Sequence, residues 1–303
     1  MAEQQSFLEK HHFLLRRLHS LSGIVPIGVF LIAHLVTNSS LAWGSFALRG
    51  EPAKEAGVLA GGAQYFQEEV HWINTGVPHL LLIEITLWLA IAFHSILGVY
   101  YATTGKANVK HYAYQDNWRY TLQRISGYLG IVFIFYHIAT LRWGWTFLVP
   151  GGATWSHHFS ASTLAAAMKG STETITAGGI AVSLIYFVGI TMLVFHFANG
   201  LWTAAITWGL TVSEGAQKRW GAVCAVLGLG LMVAAWSAFF GALALDHDTA
   251  KRVELRMIMD NPEHLEIVKE KYGEAWWDEQ VELYLDGVHH SADTDPIAAT
   301  PSP

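Results

Sequence analysis

Five long apolar stretches, separated by polar segments, dominate the pattern of hydrophobic and polar positions along the chain. A helix that crosses the ~30 Å hydrocarbon core of a membrane needs about 20 mostly apolar residues. Each stretch is rich in aliphatic and aromatic residues with interspersed glycine. The pattern therefore predicts an all-α integral membrane protein with five transmembrane helices, at about residues 21–41, 78–102, 121–142, 178–208 and 220–244.

Composition agrees with this class. Hydrophobic residues make up 52% of the 303 residues and charged residues only 14%, whereas about 25% of a soluble domain is charged. The single cysteine, Cys224, excludes an intramolecular disulfide, a cysteine-rich zinc site and an iron–sulfur cluster within this chain. No glycine-rich nucleotide-binding motif follows a strand-like segment, and no basic surface suited to nucleic acid is evident.

The distribution of positive charge predicts the orientation, because cytoplasmic loops carry an excess of Lys and Arg. Basic residues concentrate in the amino-terminal segment and in the loops after the second and fourth spans, which places the amino terminus in the cytoplasm. Those residues are Lys10, Arg16, Arg17, Lys106, Lys110, Arg119, Arg124, Lys218 and Arg219, against Arg49, Lys54, Arg142 and Lys169 on the other side. The first apolar run resembles a signal peptide in its basic flank. Its length favours an uncleaved span, and a cleaved signal is the alternative.

The carboxyl-terminal region differs in composition from the rest. From Asp246 onward the chain has 14 acidic and 5 basic residues. The predicted domains are a cytoplasmic segment (1–20), a membrane domain (21–244) and an acidic extramembrane tail (245–303), which an odd number of spans places outside. Short helical patterns in the tail are interrupted at Asn261-Pro262, and Trp276-Trp277 are expected on the membrane interface or on a partner. His157-His158 and His289-His290 read as solvated surface, and the last residues as disordered.

Four histidines lie inside four different spans: His34, His94, His137 and His196. Placing an ionisable side chain in the hydrocarbon core costs free energy, so such a residue is a functional candidate by default. At 1.5 Å per helical residue, His94 and His196 lie roughly 12–18 Å from the inner face, and His34 and His137 roughly 20–24 Å from it. The four histidines therefore form two pairs at two different depths in the membrane. Two stacked haems would need such an arrangement of axial ligands. Each histidine taken alone is explained more readily as a proton relay or as an interhelical hydrogen bond.

Glycines on the same helix faces support this hypothesis. Spans two and four share the pattern Phe-His-x-x-x-Gly, which places Gly98 and Gly200 one turn from a histidine. Gly130 and Gly189 lie seven residues before His137 and His196. Glycine on the ligand face leaves room for a flat macrocycle, although it also allows close helix packing.

Several segments together resemble the di-haem cytochrome b membrane anchor of bacterial succinate dehydrogenases and fumarate reductases. The resemblance covers about residues 12–244 and rests on Arg16-Arg17-Leu18-His19-Ser20-Leu21, Gly28-Val29-Phe30-Leu31-Ile32-Ala33-His34, Gln123-Arg124-Ile125-Ser126-Gly127 and Phe195-His196-Phe197-Ala198-Asn199-Gly200-Leu201-Trp202.

What the resemblance implies is a subunit of the bacterial cytoplasmic membrane. It would bind two haem b groups, with His94 and His196 on the proximal haem iron and His34 and His137 on the distal one. A FAD flavoprotein and an iron–sulfur subunit would dock on the cytoplasmic face. This chain would then exchange electrons with a membrane quinone, menaquinone in preference to ubiquinone, and would have no dicarboxylate site.

Two further groups of residues are candidates for this chemistry. Glu84 is expected to be buried in span two near the outer haem, where it could accept a proton from quinol or form a hydrogen bond to a neighbouring helix. Donors and cations near the inner edge could contact haem propionates; these are Arg17, His19, Ser22, Arg124, Ser126 and Lys218.

Two rival functions use the same features. A di-haem anchor of a hydrogenase, formate dehydrogenase or nitrate reductase would share the ligands but have another partner. A haem-free transporter or proton channel would use the histidines as a relay.

Overall fold

The computed structural model describes residues 7–46, 60–104 and 115–286. These residues form helices joined by turns, with no β-strand among them. The prediction of an all-α protein is therefore confirmed. The predicted disordered end and His289-His290 lie outside the described residues.

In the described part of the chain, five helices are long and apolar enough to cross a membrane, which confirms the predicted number of spans. Most of their surface carries large apolar side chains that point away from the bundle, such as Leu81, Leu89 and Val226. This distribution is typical of helices that face lipid rather than water. The five spans are His12–Trp43 (α1), Leu80–Thr104 (α3), Gln115–Leu141 (α4), Ala177–Thr207 (α6) and Glu214–Ala244 (α7).

The first span begins earlier than the apolar pattern predicts. Helix α1 starts at His12, so the predicted boundary near residue 20 falls inside a continuous helix. A π-helical stretch, Gly23–Gly28, contains Pro26, which has no N–H to donate to the preceding turn. Here the helix approaches its neighbours closely, because a Cβ at Gly28 would lie 2.3 Å from the Phe197 ring.

Polar residues at helix starts account for several boundaries. The side chains of Thr176, Ser213, Asp246 and Asn261 each accept a hydrogen bond from a backbone N–H three residues ahead, and so begin successive helices. Such caps satisfy an otherwise unpaired donor and typically stabilise a helix by about 1 kcal/mol.

A second layer of helices covers the end of the bundle opposite the amino terminus. It is formed by Ala60–Gly76 (α2), Ser160–Lys169 (α5), His247–Met259 (α8), Pro262–Tyr272 (α9) and Glu274–Val281 (α10), which together we call the cap. Helix α8 packs against both α2 and α5. Leu41, Phe66, Leu164, Phe239 and Val253 share one buried core, so the cap is continuous with the membrane bundle.

The helical part of the predicted tail is therefore part of this folded layer. The predicted break is confirmed, since α8 ends at Met259 and Asn261 caps α9. The expectation for the tryptophan pair is wrong for Trp277, which is 4% exposed and packs against Phe159 and Val268 of the same chain. Sequence pattern could not locate this partner, because Phe159 is more than a hundred positions away.

A buried carboxylate fixes α8 to the start of α5. Glu254 is fully buried and accepts hydrogen bonds from the backbone N–H groups of Ala161 and Ser162 and from the Ser162 hydroxyl, at 2.6, 3.2 and 2.5 Å. Burial raises the pKa of Glu254 to about 7, while these donors and nearby Lys251 act in the opposite direction. An acceptor at a helix amino terminus satisfies unpaired donors, so this contact attaches the carboxyl-terminal region to the outer loops.

Candidate functional site

A cavity of about 850 Å³ runs through the bundle. Side chains of all five spans line it, and so do Asn74 of the cap and Trp155 of the segment before α5. We call the end of the cavity near these two residues the outer end, and the opposite end the inner end. The four intramembrane histidines all face this one cavity; they are His34, His94, His137 and His196. The helices thus leave a continuous apolar space with imidazoles at separate points along it.

The four rings form two facing couples, and these are the couples that depth along the chain predicts. The ring centres of His94 and His196 are 6.1 Å apart with planes at 83°. Those of His34 and His137 are 5.8 Å apart with planes at 80°. Two metal–nitrogen bonds of about 2 Å, extended to the ring centres, would separate two imidazoles by roughly 6 Å. Each couple therefore has the spacing of two axial ligands on one metal ion.

Hydrogen bonds fix the orientation of the inner couple. Nδ1 of His94 lies 2.9 Å from the carbonyl oxygen of His19, and Nδ1 of His196 lies 3.1 Å from that of Gln123. A carbonyl can only accept, so each Nδ1 must carry the proton. Nε2 of each ring is then a bare lone pair, which is the form that binds a metal.

Side chains also contact these two rings at Nδ1. The Ser22 hydroxyl is 3.4 Å from Nδ1 of His94, and the Ser126 hydroxyl is 3.2 Å from Nδ1 of His196. The sequence predicts both serines as contacts of haem propionates. The structure places their hydroxyls beside the imidazoles, where they help to orient the rings.

The rings of the outer couple also make polar contacts at Nδ1, with different partners. Nδ1 of His137 lies 3.3 Å from the Tyr186 hydroxyl, which can donate or accept. Nδ1 of His34 lies 3.4 Å from the side-chain amide nitrogen of Asn38, which also donates to the His34 carbonyl at 2.7 Å. Since an amide N–H group only donates, the Asn38 contact does not fix the tautomer found in the inner couple. Asn38 is one turn after His34, so spacing could have identified it. Tyr186 comes from another helix and could not be found that way.

Two glycines that sequence reasoning missed make room for the inner rings. A Cβ at Gly23 would lie 2.5 Å from Cε1 of His94, and one at Gly127 would lie 3.1 Å from Cε1 of His196. Both glycines line the cavity. Their signal in the sequence is weak, because neither shares a helix with the histidine that it accommodates.

The predicted glycines divide into two groups. Gly98, Gly130 and Gly200 line the cavity. This position is the one that a glycine packed beside a haem macrocycle would need. A Cβ at Gly189, however, would lie 2.2 Å from the Phe133 ring, and Gly189 is not among the lining residues. Gly189 therefore serves helix packing, which corrects its proposed role at a haem.

The inner end of the cavity is polar and contains two buried atoms without a hydrogen-bond partner among the described residues: Nδ1 of His19 and the Tyr101 hydroxyl. His19 stacks on His94 with ring centres 4.0 Å apart, and the Arg16 guanidinium lies 5.3 Å from the centre of the Tyr101 ring. An unsatisfied buried polar group costs about 1–3 kcal/mol, so these atoms suit a polar ligand group such as a propionate.

The other residues predicted to contact propionates differ in whether they line the cavity. Arg124 lines the cavity and donates to the backbone carbonyl of Ala102. Lys218 pairs with Glu214 at 2.7 Å on an exposed helix end and does not line the cavity, which corrects its assignment. Arg17 packs over the Phe13 ring at 4.1 Å and is not a lining residue either. Its buried Nε has no hydrogen-bond partner among the described residues, so its role at a propionate stays a prediction.

Arg119 is a cavity cation that the sequence-based assignment missed. It donates to the Asn199 side chain at 2.9 Å, and Asn199 in turn donates to Gln123 at 2.7 Å. This network links the guanidinium to the residue whose carbonyl orients His196.

Glu84 lies at the outer end of the cavity, but it is not buried as expected. Its side chain is 31% exposed and forms an ion pair with Arg142, with an oxygen-to-nitrogen distance of 3.0 Å. Both residues line the cavity. Local sequence pattern does not predict this pairing, because the two residues lie 58 positions apart.

These features define a class: a multi-pass helical membrane protein with two facing pairs of histidines in the bundle. The chain is 34% identical over 208 residues to the succinate dehydrogenase cytochrome b558 subunit of Bacillus subtilis (strain 168). The match covers 68% of this chain and 85% of that protein. The chain therefore belongs to the family of succinate dehydrogenase cytochrome b subunits. No protein-family model matches it, and no solved structure matches it significantly.

Proposed function

We propose that this subunit carries electrons through two haem b groups between an iron–sulfur partner and membrane menaquinone. The observation that carries the proposal is the pair of facing imidazole couples, each with its contacts at Nδ1. When bound, the haems supply one-electron carriers at two depths of the membrane.

The chain's own residues prepare these positions. His94 and His196 would hold the proximal iron, and His34 and His137 the distal one. The carbonyl partners of His94 and His196 fix the ring tautomer and increase the basicity of Nε2. Arg16, Arg119 and Arg124 line the inner end and would neutralise propionates there.

The orientation follows from the charge distribution. The basic amino-terminal side would face the cytoplasm, where the flavoprotein and iron–sulfur subunits would dock. Residues 21–244 would then be the haem domain of a bacterial cytoplasmic-membrane protein, and the cap would lie outside.

Glu84 and Arg142 are the candidate quinone residues. Their ion pair lies at the outer end of the cavity, on the same side as the couple His34 and His137. The guanidinium can donate to a quinone oxygen, and the carboxylate can accept a proton released by a quinol. The family match favours succinate dehydrogenase over other quinone-linked dehydrogenases as the complex that contains this site.

The test is optical and uses membranes that contain the whole complex. Succinate should reduce b-type haem, and a menaquinone analogue should reoxidise it. Glu84→Gln should slow reoxidation while leaving reduction by succinate intact. A complex without succinate-reducible b-type haem would refute the electron relay and would leave a histidine-relay transporter as the better explanation.

A further inference from the structure

Four histidines in the cap and in the segment that precedes α5 form a cluster that the haem sites do not use. They come from α2 (His71), from the segment before α5 (His157 and His158) and from α9 (His264). Nδ1 of His158 lies 3.0 Å from Nε2 of His264. The ring centres of His157 and His158 are 3.9 Å apart, and those of His71 and His264 are 4.5 Å apart. We call this group the histidine cluster.

The cluster extends from partly exposed to buried positions. His71 and His157 are partly exposed, whereas His158 and His264 are 5% and 7% exposed. The expectation of a solvated surface is therefore wrong for His158. Direct hydrogen bonding between two buried imidazoles requires one ring to donate and the other to accept, so the pair can pass a proton from ring to ring.

The inner side of the cluster adjoins the candidate quinone region. Asn74 lies three residues after His71 and lines the outer end of the cavity, as does Trp155, two residues before His157. Arg142, the partner of Glu84, acts electrostatically on His157. The rings of Trp88 and Trp143 stack next to this ion pair, on an aromatic surface typical of the lipid–water interface. The cluster therefore adjoins residues at the end of the cavity that contains the Glu84–Arg142 pair.

Burial and the charged groups around the cluster keep three of its rings neutral, those of His157, His158 and His264. Burial, then Lys271 and Arg142, lower the pKa of His157. Burial, then His157, Lys271 and His264, lower the pKa of His158 to about 3, and burial with His71 and His157 lowers that of His264 to about 4. The Tyr272 hydroxyl, 3.0 Å from the Ser156 hydroxyl, closes one side. A neutral imidazole has one N–H and one bare nitrogen, so it can accept a proton and release another.

We propose that the histidine cluster conducts protons between external water and the Glu84–Arg142 end of the cavity. The inference rests on the proposed quinone chemistry, in which a quinone gains two electrons from this chain and two protons from water to give the quinol. Quinol oxidation would return the two protons by the same route.

The test is succinate-driven reduction of a water-soluble short-chain naphthoquinone by the intact membrane complex. His158→Gln and His264→Gln should each lower the rate by at least about threefold. The loss should grow as external pH rises from about 6 to about 8, because protons become scarcer, and added imidazole should restore the rate. His71→Gln, at a partly exposed position, repeats the test if a buried variant does not assemble.

His247→Gln is the matched control. His247 is also buried in the cap, but its ring bonds to Asp248 at 2.9 Å, outside the cluster. This variant should keep the wild-type rate and pH profile. Rates of the cluster variants that equal wild type, or that fall equally at every pH without rescue by imidazole, would overturn the relay. Haem reduction by succinate in the same samples separates the two proposals, since its loss in the wild type would refute the electron relay itself.

Discussion

At the scale of residues, the most informative feature is where each intramembrane imidazole makes its contacts. His94 and His196 bond through Nδ1 to carbonyl oxygens of neighbouring helices, and His137 does so to a tyrosine hydroxyl. For His94 and His196 these contacts leave Nε2 without a proton and able to bind a metal ion. Partners of this kind usually change metal affinity by 10- to 100-fold when they are removed.

Tyr186→Phe removes the hydroxyl at Nδ1 of His137. We expect the outer haem to remain bound but to change its reduction potential, by about 60 mV for each tenfold difference in affinity between the oxidised and reduced forms. A redox titration followed at the haem absorbance bands measures this.

Tyr136→Phe is the control for Tyr186→Phe, because the Tyr136 hydroxyl donates to the Leu148 carbonyl at 3.3 Å and contacts no candidate ligand. Equal potentials in the wild type and in Tyr186→Phe would mean that the hydroxyl does not tune the site.

Gly23→Ala places a methyl group 2.5 Å from Cε1 of His94. The ring must then move, which breaks its bond to the His19 carbonyl. We expect the loss of about one of two haems in the purified complex, measured by haem content per chain. Gly230→Ala should retain both, because a Cβ at Gly230 meets no atom within 4 Å. Full haem content in Gly23→Ala would contradict a close fit around His94.

At the scale of elements, helix α8 joins the cap to the bundle. Its carboxylate Glu254 caps α5, and its neighbour Lys251 lies 3.4 Å from the centre of the Phe159 ring. The cap therefore depends on contacts between segments that are distant in sequence. A binary pattern predicts the helices of this region but cannot predict which faces meet.

The histidine cluster predicts a pH dependence of the cap. The folded pKa values of His158 and His264, about 3 and about 4, lie below the ordinary value of 6.5. The unfolded cap therefore binds more protons than the folded cap in this range. The free energy of unfolding of the cap should decrease as pH falls from about 6.5 towards 4. Fluorescence of the cap tryptophans, or protease sensitivity of the cap, should report this loss.

His158→Gln should flatten that dependence. The comparison with wild type is needed because the raised pKa of Glu254 makes the cap less stable as pH rises, which is opposite to the effect of the histidines. An identical acid profile in wild type and variant would show that His158 does not titrate as the structure requires.

At the scale of the whole molecule, the sequence predicts the membrane bundle well and the cap poorly. Apolar runs of sufficient length identify all five spans, and depth along the helices groups His94 with His196 and His34 with His137, because helical rise is constant. The sequence does not predict the exposure of Glu84 or the burial of Trp277, because both depend on contacts with residues from other segments. Local pattern has no access to such pairings.

We propose that each facing couple of imidazoles holds one haem. The most direct test counts haems per chain in the purified complex for the wild type and for alanine variants at His34, His94, His137 and His196. We predict two b-type, low-spin haems in the wild type, loss of the same haem in His94→Ala and His196→Ala, and loss of the other in His34→Ala and His137→Ala. A wild type without low-spin haem, or a haem that disappears with His94 and His34 but survives without His196, would contradict the account.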